Sequence, residues 1–271
     1  FPVTYTQLNE VQTEKYDLSS MRFWASTADA SHEVIQRKFV AIGSAFKRFG
    51  LPLKGSVYMD AQGSSEVGTP SVIRYITTYT GKFGRRIGRI GSTPFGPKIR
   101  IVKDNGEEVR KGEVGRLEVK GKTVFDGYWN NHTITYQAMH NKWFFTGDVA
   151  RMEQDGNIIQ LDRLVDVIHT ANGDVYSLLI EEKIHKHPAV YDTCVYAHKQ
   201  RNGSYRPAVV AALKKDRDME TSTLLDEFNQ LLEDEEKLCH CDIMECSEFP
   251  IGVTGKTLKR IFRIRSEQSL E

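Results

Sequence analysis

Lys256 is the residue of this sequence best suited to meet an anionic reaction partner. It follows the segment Gly252-Val253-Thr254-Gly255, and a lysine beside a flexible glycine turn can present its ammonium to a phosphate or carboxylate oxygen. The segment is not a P-loop, because the spacing G-x-x-x-x-G-K-S/T after a strand is absent. Taken alone, it is more typical of a solvated basic helix.

A carboxylate and a guanidinium further up the chain are suited to bind a sugar. Asp148 follows the run 143–147, which is aromatic at its start and ends in glycine. Its carboxylate can accept both hydroxyls of a ribose, or it can close an Asx turn at the end of a strand. Arg163 can offer planar donors to the same sugar or to a phosphate. Its alternative is a surface ion pair with Asp162 or Asp166.

Residues 60–66 combine small side chains, hydroxyls and two carboxylates after an apolar strand. A loop that contains Gly63 and Ser65 lets backbone amides approach a phosphate. Asp60 and Glu66 stand at its two ends, and Glu66 can hold Mg²⁺ through oxygen. A plain polar turn is the commoner explanation when such a loop is considered alone.

Composition excludes several other classes of function. The 271 residues carry 37 Lys+Arg against 36 Asp+Glu, a formal net charge of +1, which disfavours general binding to nucleic acids or anionic membranes. No run approaches the roughly 18 apolar residues of a membrane-spanning helix, and the N-terminus does not resemble a signal peptide. We therefore predict a soluble, cytoplasmic protein without a transmembrane segment.

The four cysteines are too sparse for a disulfide framework and fit a reducing compartment. Three of them, Cys239, Cys241 and Cys246, cluster with His240. This cluster lacks both a pair of CxxC knuckles and a second histidine. We therefore expect buried or incidental thiols there rather than a metal site.

The hydrophobic pattern predicts the elements that must position the candidate residues. Apolar residues at steps of three and four predict an amphipathic helix over residues 31–49, with Gly50 just past its end. Short β-rich runs follow at residues 56–59, 71–78, 98–102 and 116–119. Asp155-Gly156 then predicts the turn of a hairpin.

The pattern changes in the last part of the chain. Helix patterns at residues 177–186 and 222–232 alternate with apolar runs at 190–197 and 208–213. Such alternation over about a hundred residues is typical of a small, separate α/β domain. We therefore place a domain boundary near residues 162–166.

Taken together, the order and spacing of these segments resemble the C-terminal half of the AMP-forming adenylating enzymes. This superfamily comprises the acyl-CoA synthetases, the luciferases and the adenylation domains of peptide synthetases. Seven segments, spread over nearly the whole chain, carry the resemblance: 16–22 (YDLSSMR), 60–66 (DAQGSSE), 115–121 with 127–129 (GRLEVKG and GYW), 145–148 (FTGD), Arg163 and its neighbours, 173–181, and 250–260 (PIGVTGKTLKR).

The resemblance implies a fold of the α/β and α+β classes in two domains. Residues 1–161 are expected to form the C-terminal part of the large AMP-binding domain, a partial α/β sheet followed by a β-barrel-like segment. Residues 162–271 are expected to form a small mobile lid that rotates about a hinge at residues 162–166.

The resemblance also implies an activity. Members of the superfamily join a carboxylate to the α-phosphate of ATP, release pyrophosphate, and usually pass the acyl group to a thiol. We therefore expect ATP or AMP, Mg²⁺ and CoA as cofactors, a small carboxylic acid as substrate, and no nucleic acid. An acyl-CoA synthetase, such as those of fatty-acid metabolism, is the first expectation. A carrier protein's phosphopantetheine thiol is the alternative acceptor.

Each matched residue receives an expected role from the same resemblance. Lys256 is the expected catalytic residue, since it bridges carboxylate and phosphate, and Glu66 is the expected magnesium ligand. The expected nucleotide- and thiol-binding residues are Asp60 and Gln62 at the adenine, Gly63 and Ser65 at the phosphate, Asp148 and Arg163 at the ribose, and Gly173 near the incoming thiol.

Three departures from the family pattern support a different hypothesis, a non-catalytic nucleotide-binding or interaction module. Gln62 replaces the aromatic residue that usually stacks on adenine, Val165 replaces a polar hinge residue, and the phosphate loop ending in Pro-Lys is absent.

Because the chain starts at Phe1 and ends in Leu270-Glu271, we expect instead a piece of a longer ligase, inactive alone. Such a piece should expose apolar surface and self-associate.

Overall fold

The computed structural model of the protein describes residues 2–27, 31–45, 50, 54–93, 96–253 and 255–268. The helices in these ranges are α1 (Pro2–Leu8), α2 (Glu33–Val40), α3 (His132–Ala138), α4 (Ser177–Ile184), α5 (Thr221–Gln230) and α6 (Lys259–Gln268). The strands are β1 (Phe23–Thr27), β2 (Val57–Gln62), β3 (Val72–Ile76), β4 (Arg86–Arg89), β5 (Lys98–Val102), β6 (Val114–Lys120), β7 (Met139–His140), β8 (Trp143–Met152), β9 (Asn157–Arg163), β10 (Ile168–Thr170), β11 (Gly173–Val175), β12 (Val190–Lys199), β13 (Tyr205–Leu213) and β14 (Cys241–Ile243).

The chain divides into two compact units, Phe1–Leu164 and Val165–Glu271. Each unit has hydrophobic clusters of its own. None of the helices formed by the described residues has the length and apolar character needed to span a lipid bilayer. The mixed α/β character expected from the sequence is confirmed.

The first unit begins with a three-stranded sheet of order β1-β2-β3, in which β1 and β2 are parallel and β3 is antiparallel to β2. Phe39 of α2 packs with Tyr58 and Ile76 in the core on one face of this sheet. Because side chains alternate along a strand, Asp60 and Gln62 share the face of Tyr58. The strand therefore carries two candidate site residues on the side that α2 covers.

The helix predicted over residues 31–49 is shorter than expected. Helix α2 ends at Val40, and residues 46–49 lie outside the described ranges. At Gly43 the chain adopts φ +92°, and a Cβ there would lie 2.1 Å from the carbonyl oxygen of Met21. Ser44 then forms a parallel bridge with Gly55. The helix is shorter than predicted because the backbone leaves the helical path and packs closely against the segment at Met21.

A second, antiparallel sheet of order β4-β9-β8-β6-β5 completes the first unit, with β7 beside β8. Its core contains Ile87, Leu117, Ala150 and Ile158. The predicted hairpin at Asp155-Gly156 joins β8 to β9 and is confirmed. In the described residues the end strands β4 and β5 do not pair with each other, so the β-barrel-like segment is an open sheet.

The second unit is built on a sheet of order β12-β13-β14 with helices on both faces. Ile180 of α4 and Leu224 of α5 pack on the side of Val195, while Phe262 of α6 packs on the side of Tyr196. Successive residues of β12 thus face two different cores, as strand geometry requires. The predicted helices at 177–186 and 222–232 and the strands at 190–197 and 208–213 are confirmed.

Candidate functional site

The carboxylate of Asp148 is held in a fixed orientation on the second sheet of the first unit. Asp148 on β8 lies opposite Arg163 on β9, and it is buried. Its Oδ1 accepts hydrogen bonds from Arg163 at 3.2 Å and from the Gln160 amide at 3.0 Å, and its Oδ2 accepts one from the Thr146 hydroxyl at 2.8 Å. A carboxylate offers about four acceptor positions, so it retains capacity for a hydroxyl donor.

Gly147 is required by the close approach of Arg163. The residue adopts φ +83°, and a Cβ there would lie 2.6 Å from Nη2 of Arg163. The same guanidinium donates to the carbonyl oxygen of Thr146 at 3.0 Å. The guanidinium of Arg163 therefore lies against the backbone just before Asp148, where a side chain on residue 147 would displace it.

Glu66 lies in the turn after β2, and its carboxylate accepts a hydrogen bond from the Tyr128 hydroxyl at 3.0 Å. Burial acts to raise the pKa of Glu66. Hydrogen bonds from its own amide, Ser64 and Tyr128, together with the positive charge of Arg163, outweigh burial and hold this pKa below its ordinary value. Burial and the bond to Glu66 in turn raise the pKa of Tyr128. Glu66 is thus ionised at neutral pH, within the field of the cation that binds Asp148.

Asp60 is held by an ion pair and an amide rather than left open. Its Oδ2 accepts from Arg74 at 2.7 Å and from Gln36 of α2 at 3.0 Å, and Arg74 also donates to the Gln36 amide oxygen at 2.9 Å. Gln62, two residues further along the strand, lines the same cleft as Asp60, Arg74 and Gln160. The end of β2 therefore meets the Asp148 network through Gln160.

Gly63 and Ser65 lie in the loop that leaves β2. A Cβ on Gly63 would lie 3.0 Å from the carbonyl oxygen of Thr69 and 3.2 Å from Cα of Pro70, so a larger residue would push these two segments apart. Ser65 is exposed at the start of the following turn. The loop therefore keeps its backbone compact and its hydroxyl at the surface.

Lys256 and Gly173 both belong to the second unit. The loop of Lys256 is closed by an antiparallel bridge between Ile251 and Thr257 and by a 2.8 Å hydrogen bond from the Gly252 amide to the Lys256 carbonyl. Thr254 of this motif lies outside the described residues. Gly173 begins β11, opposite Thr170 on β10, and adopts φ +127° in an open position. Both residues therefore sit in tight turns.

The segment that joins the units is tied to the last helix. Residues Leu164–Asp166 form a single 3-10 turn, and the side chain of Val165 is 68% exposed. Arg263 of α6 donates a hydrogen bond to the carbonyl oxygen of Val165 and lies 3.8 Å from the Asp166 carboxylate. The apolar residue at the predicted hinge is thus held through its backbone.

Of the clustered cysteines, Cys241 is buried, and Cys239 and Cys246 are half-buried. Within the described ranges no group of three or more His, Cys, Asp or Glu side chains is arranged to hold a metal ion. Burial raises the pKa of Cys239 and raises that of Cys241 to about 12. Both thiols therefore remain protonated at neutral pH.

Several residues that connect these sites were not predicted from the sequence. Gln160 joins Asp148 to the cleft beside β2, and Gln36 and Arg74 hold Asp60. Thr146 and Tyr128 lie within the segments that resemble the family, but the resemblance implies no role for them. Gln160 had one detectable signal, a polar side chain within the apolar run of β9.

Comparison with known proteins finds a diazotase and several CoA ligases among the relatives. No family model matches the sequence. A 3-aminoavenalumate diazotase from Streptomyces is 34% identical over 187 residues, which are 67% of this chain and 33% of the relative. A medium/long-chain-fatty-acid–CoA ligase from Mycobacterium tuberculosis is 30% identical over 191 residues, 70% of this chain and 31% of the relative. The chain spans about a third of the length of these relatives.

Solved structures share the fold over nearly the whole chain. An anthranilate–CoA ligase in complex with anthranoyl-AMP has a TM-score of 0.80 at 21% identity and covers 98% of this chain, which spans 48% of that chain. ATP-bound MatB from Rhodopseudomonas palustris has a TM-score of 0.81 at 20% identity, with coverages of 100% and 50%. The ordered motifs, the relatives and the shared fold together show that this chain belongs to the AMP-forming adenylating enzymes, as the C-terminal half of their fold.

Proposed function

We propose that this chain is part of an enzyme that activates a carboxylic acid with ATP as an acyl-AMP and then transfers the acyl group to the thiol of CoA. Relatives named as CoA ligases support this assignment, as do fold neighbours solved with ATP and with anthranoyl-AMP. In this proposal Phe1–Leu164 is the C-terminal part of the AMP-binding domain and Val165–Glu271 is the lid.

The observation that carries the proposal is the group formed by Asp148, Arg163 and Glu66. Glu66 is distant in sequence from the other two residues; Arg163 binds Asp148 directly, and its charge acts on Glu66. A nucleotide presents hydroxyl donors and phosphate oxygens at neighbouring positions, and this group offers acceptors and a cation in the same way. We assign Asp148 and Arg163 to the ribose, and Asp60 and Gln62 to the adenine side.

Glu66 suits a magnesium ion that arrives with the nucleotide. Mg²⁺ in nucleotide sites is commonly held by one or two carboxylates together with substrate phosphates, rather than by a cage of protein ligands. The lowered pKa of Glu66 keeps its carboxylate ionised, and the described residues offer no resident cage. When bound, the ion would neutralise phosphate charge, while Ser65 and Gly63 would provide polar contacts to the same phosphates.

Lys256 is the proposed catalytic residue. Adenylation brings a carboxylate and a phosphate together, so the main task of the protein is to neutralise two anions. The ammonium of Lys256 would supply that charge, and the open turn at Gly173 would admit the thiol in the second step. CoA is the proposed acceptor because the ligases among the relatives are named for it.

Carboxylate-dependent exchange between ATP and pyrophosphate tests this function. The protein encoded by the complete gene is assayed with a panel of long-chain, medium-chain and aryl acids. We expect exchange with at least one acid, and we expect Lys256→Ala to reduce it about 100- to 1,000-fold. Lys186→Ala, an exposed lysine of the same unit, should leave it unchanged. Undiminished exchange by the Lys256 variant would refute the assigned role.

We also propose a cytoplasmic location. The four cysteines are free thiols. Proteins of oxidising compartments commonly pair such residues, whereas the cytosol keeps them reduced.

A further inference from the structure

A narrow cleft beside the Asp148 network contains three arginines. It is partly open to solvent, has space for about one water molecule, and lies between β2, β3, β4 and β9 of the first unit. The polar residues that matter for its charge are Asp60, Gln62, Arg74, Arg85, Arg86 and Gln160.

Two of the three arginines are neutralised by carboxylates. Arg74 pairs with Asp60 at 2.7 Å, and Arg86 pairs with Glu153 at 2.6 Å. For Arg85, the described part of the chain provides no carboxylate within ion-pair distance. Since Arg is always protonated in proteins, the cleft keeps one positive charge that no carboxylate of the described residues balances.

Arg85 is buried despite this charge. Only 6% of the residue is exposed. Its Nη2 donates to the amide oxygen of Gln160 at 2.8 Å, and its buried Nε has no hydrogen-bond partner in the described part of the chain. Burial of a cation without a counter-ion is unfavourable, and a buried donor without an acceptor adds to that cost. Such an arrangement is expected where a ligand supplies the missing anion.

We propose that Arg85 binds an anionic oxygen group of a ligand in this cleft. The inference rests on the proposed function and narrows its substrate class. The group is either a second carboxylate on the acid that is activated or a phosphate of the nucleotide. Gln160 donates to Asp148 and accepts from Arg85, so the two positions are joined by one amide.

Binding to the 271-residue chain tests the proposal without any reaction. Titration calorimetry and thermal unfolding are measured with succinate and glutarate, with the monoacids butyrate and pentanoate of equal carbon number, and with inorganic phosphate and AMP. Arg85→Met and Arg85→Gln remove the charge. Arg89→Met, an exposed arginine of the same sheet edge, is the matched control.

We expect one class of anion to bind and its affinity to fall about tenfold or more in both Arg85 variants, but not in Arg89→Met. Binding of diacids over monoacids would identify the second carboxylate as the source. Binding of phosphate and AMP alone would identify the nucleotide. Because the buried charge lacks a carboxylate partner among the described residues, Arg85→Met should also unfold at the same or a higher temperature than the unmodified chain.

The proposal is overturned if no probe binds, or if binding is the same in the Arg85 variants. It is also overturned if both Arg85 variants unfold well below Arg89→Met, because Arg85 would then be a structural residue. The exchange assay is independent of these results. Arg85-dependent binding without exchange would reject the proposed function alone, and exchange without such binding would reject the anion site alone.

Discussion

Gly147 sets the position of the guanidinium that binds Asp148. Its φ of +83° and the 2.6 Å approach of Arg163 leave no space for a methyl group. We expect Gly147→Ala to lower the free energy of unfolding by about 1–2 kcal/mol for the left-handed backbone, to displace Arg163, and to weaken AMP binding. Calorimetry with AMP measures the last effect.

Gly156→Ala is the matched control for this variant. Gly156 has nearly the same φ, +81°, but its Cβ would meet no atom closer than 3.6 Å. It should therefore lose similar backbone stability and keep its affinity for AMP. Equal AMP affinities of the two variants would contradict the role given to the contact between Gly147 and Arg163.

His198 provides a pH dependence at the residue scale. Its ring stacks on His240 with centroids 5.5 Å apart. Burial first, and the charge of His240 second, lower the pKa of His198 below its ordinary value of 6.5. Between the folded pKa and about 6.5 the unfolded chain binds more protons, so stability should fall as the pH drops through this window.

His198→Gln should flatten that dependence. Chemical denaturation at pH values from 5 to 8 is expected to give a shallower slope below about pH 6.5 for this variant than for the unmodified chain. His132→Gln, an exposed histidine at the start of α3, should keep the slope. An unchanged slope in His198→Gln would mean that another group titrates.

At the scale of elements, α6 fixes the turn that follows β9. Arg263 donates to the carbonyl oxygen of Val165 and lies near Asp166. Arg263→Gln should therefore raise amide hydrogen exchange in peptides covering residues 163–168 by about tenfold, the value of one charge-assisted hydrogen bond. Peptides from β12 and β13 should exchange as before, because their core is unaffected.

Arg260→Gln is the control for the α6 prediction. Arg260 is exposed on the same helix, so its loss changes the charge of α6 without touching the turn. Equal exchange of the turn in both variants would show that α6 does not hold it.

At the scale of the whole molecule, one face of the three-stranded sheet is apolar and accessible. The strand register places Phe23 opposite Val57, and Ala25, Met59 and Tyr75 in one row on that face. Phe23 is 46% exposed and Tyr75 is 55% exposed. Accessible apolar faces of this kind mediate association.

We therefore expect the chain to self-associate as its concentration rises. Sedimentation velocity should show the shift, and the double change Phe23→Ser with Tyr75→Ser should reduce it. Tyr136→Ser, at an 80% exposed tyrosine of α3, should not. A monomer at all concentrations, with no binding of an apolar dye, would contradict the expectation.

The sequence predicted the secondary structure of the second unit better than that of the first. In Val165–Glu271 the periodicity placed α4, α5, β12 and β13 correctly, because each element is flanked by local turn signals and buries a regular face. In Phe1–Leu164 the helix over 31–49 was too long, since the approach of Gly43 to Met21 ends it. That contact joins two segments that are separated in sequence, so no local sequence pattern predicts it.

The sequence by itself determined the family and the chemical types at the site. Residues such as Asp148, Arg163 and Glu66 lie in short motifs, and the type and order of residues in a motif are readable without coordinates. Only the tertiary structure decided which charges are balanced. Arg85, one of two adjacent arginines, lacks a carboxylate among the described residues while Arg86 has one. The physical reason is that burial and pairing depend on strand order and register, which join residues as far apart as Arg85 and Gln160.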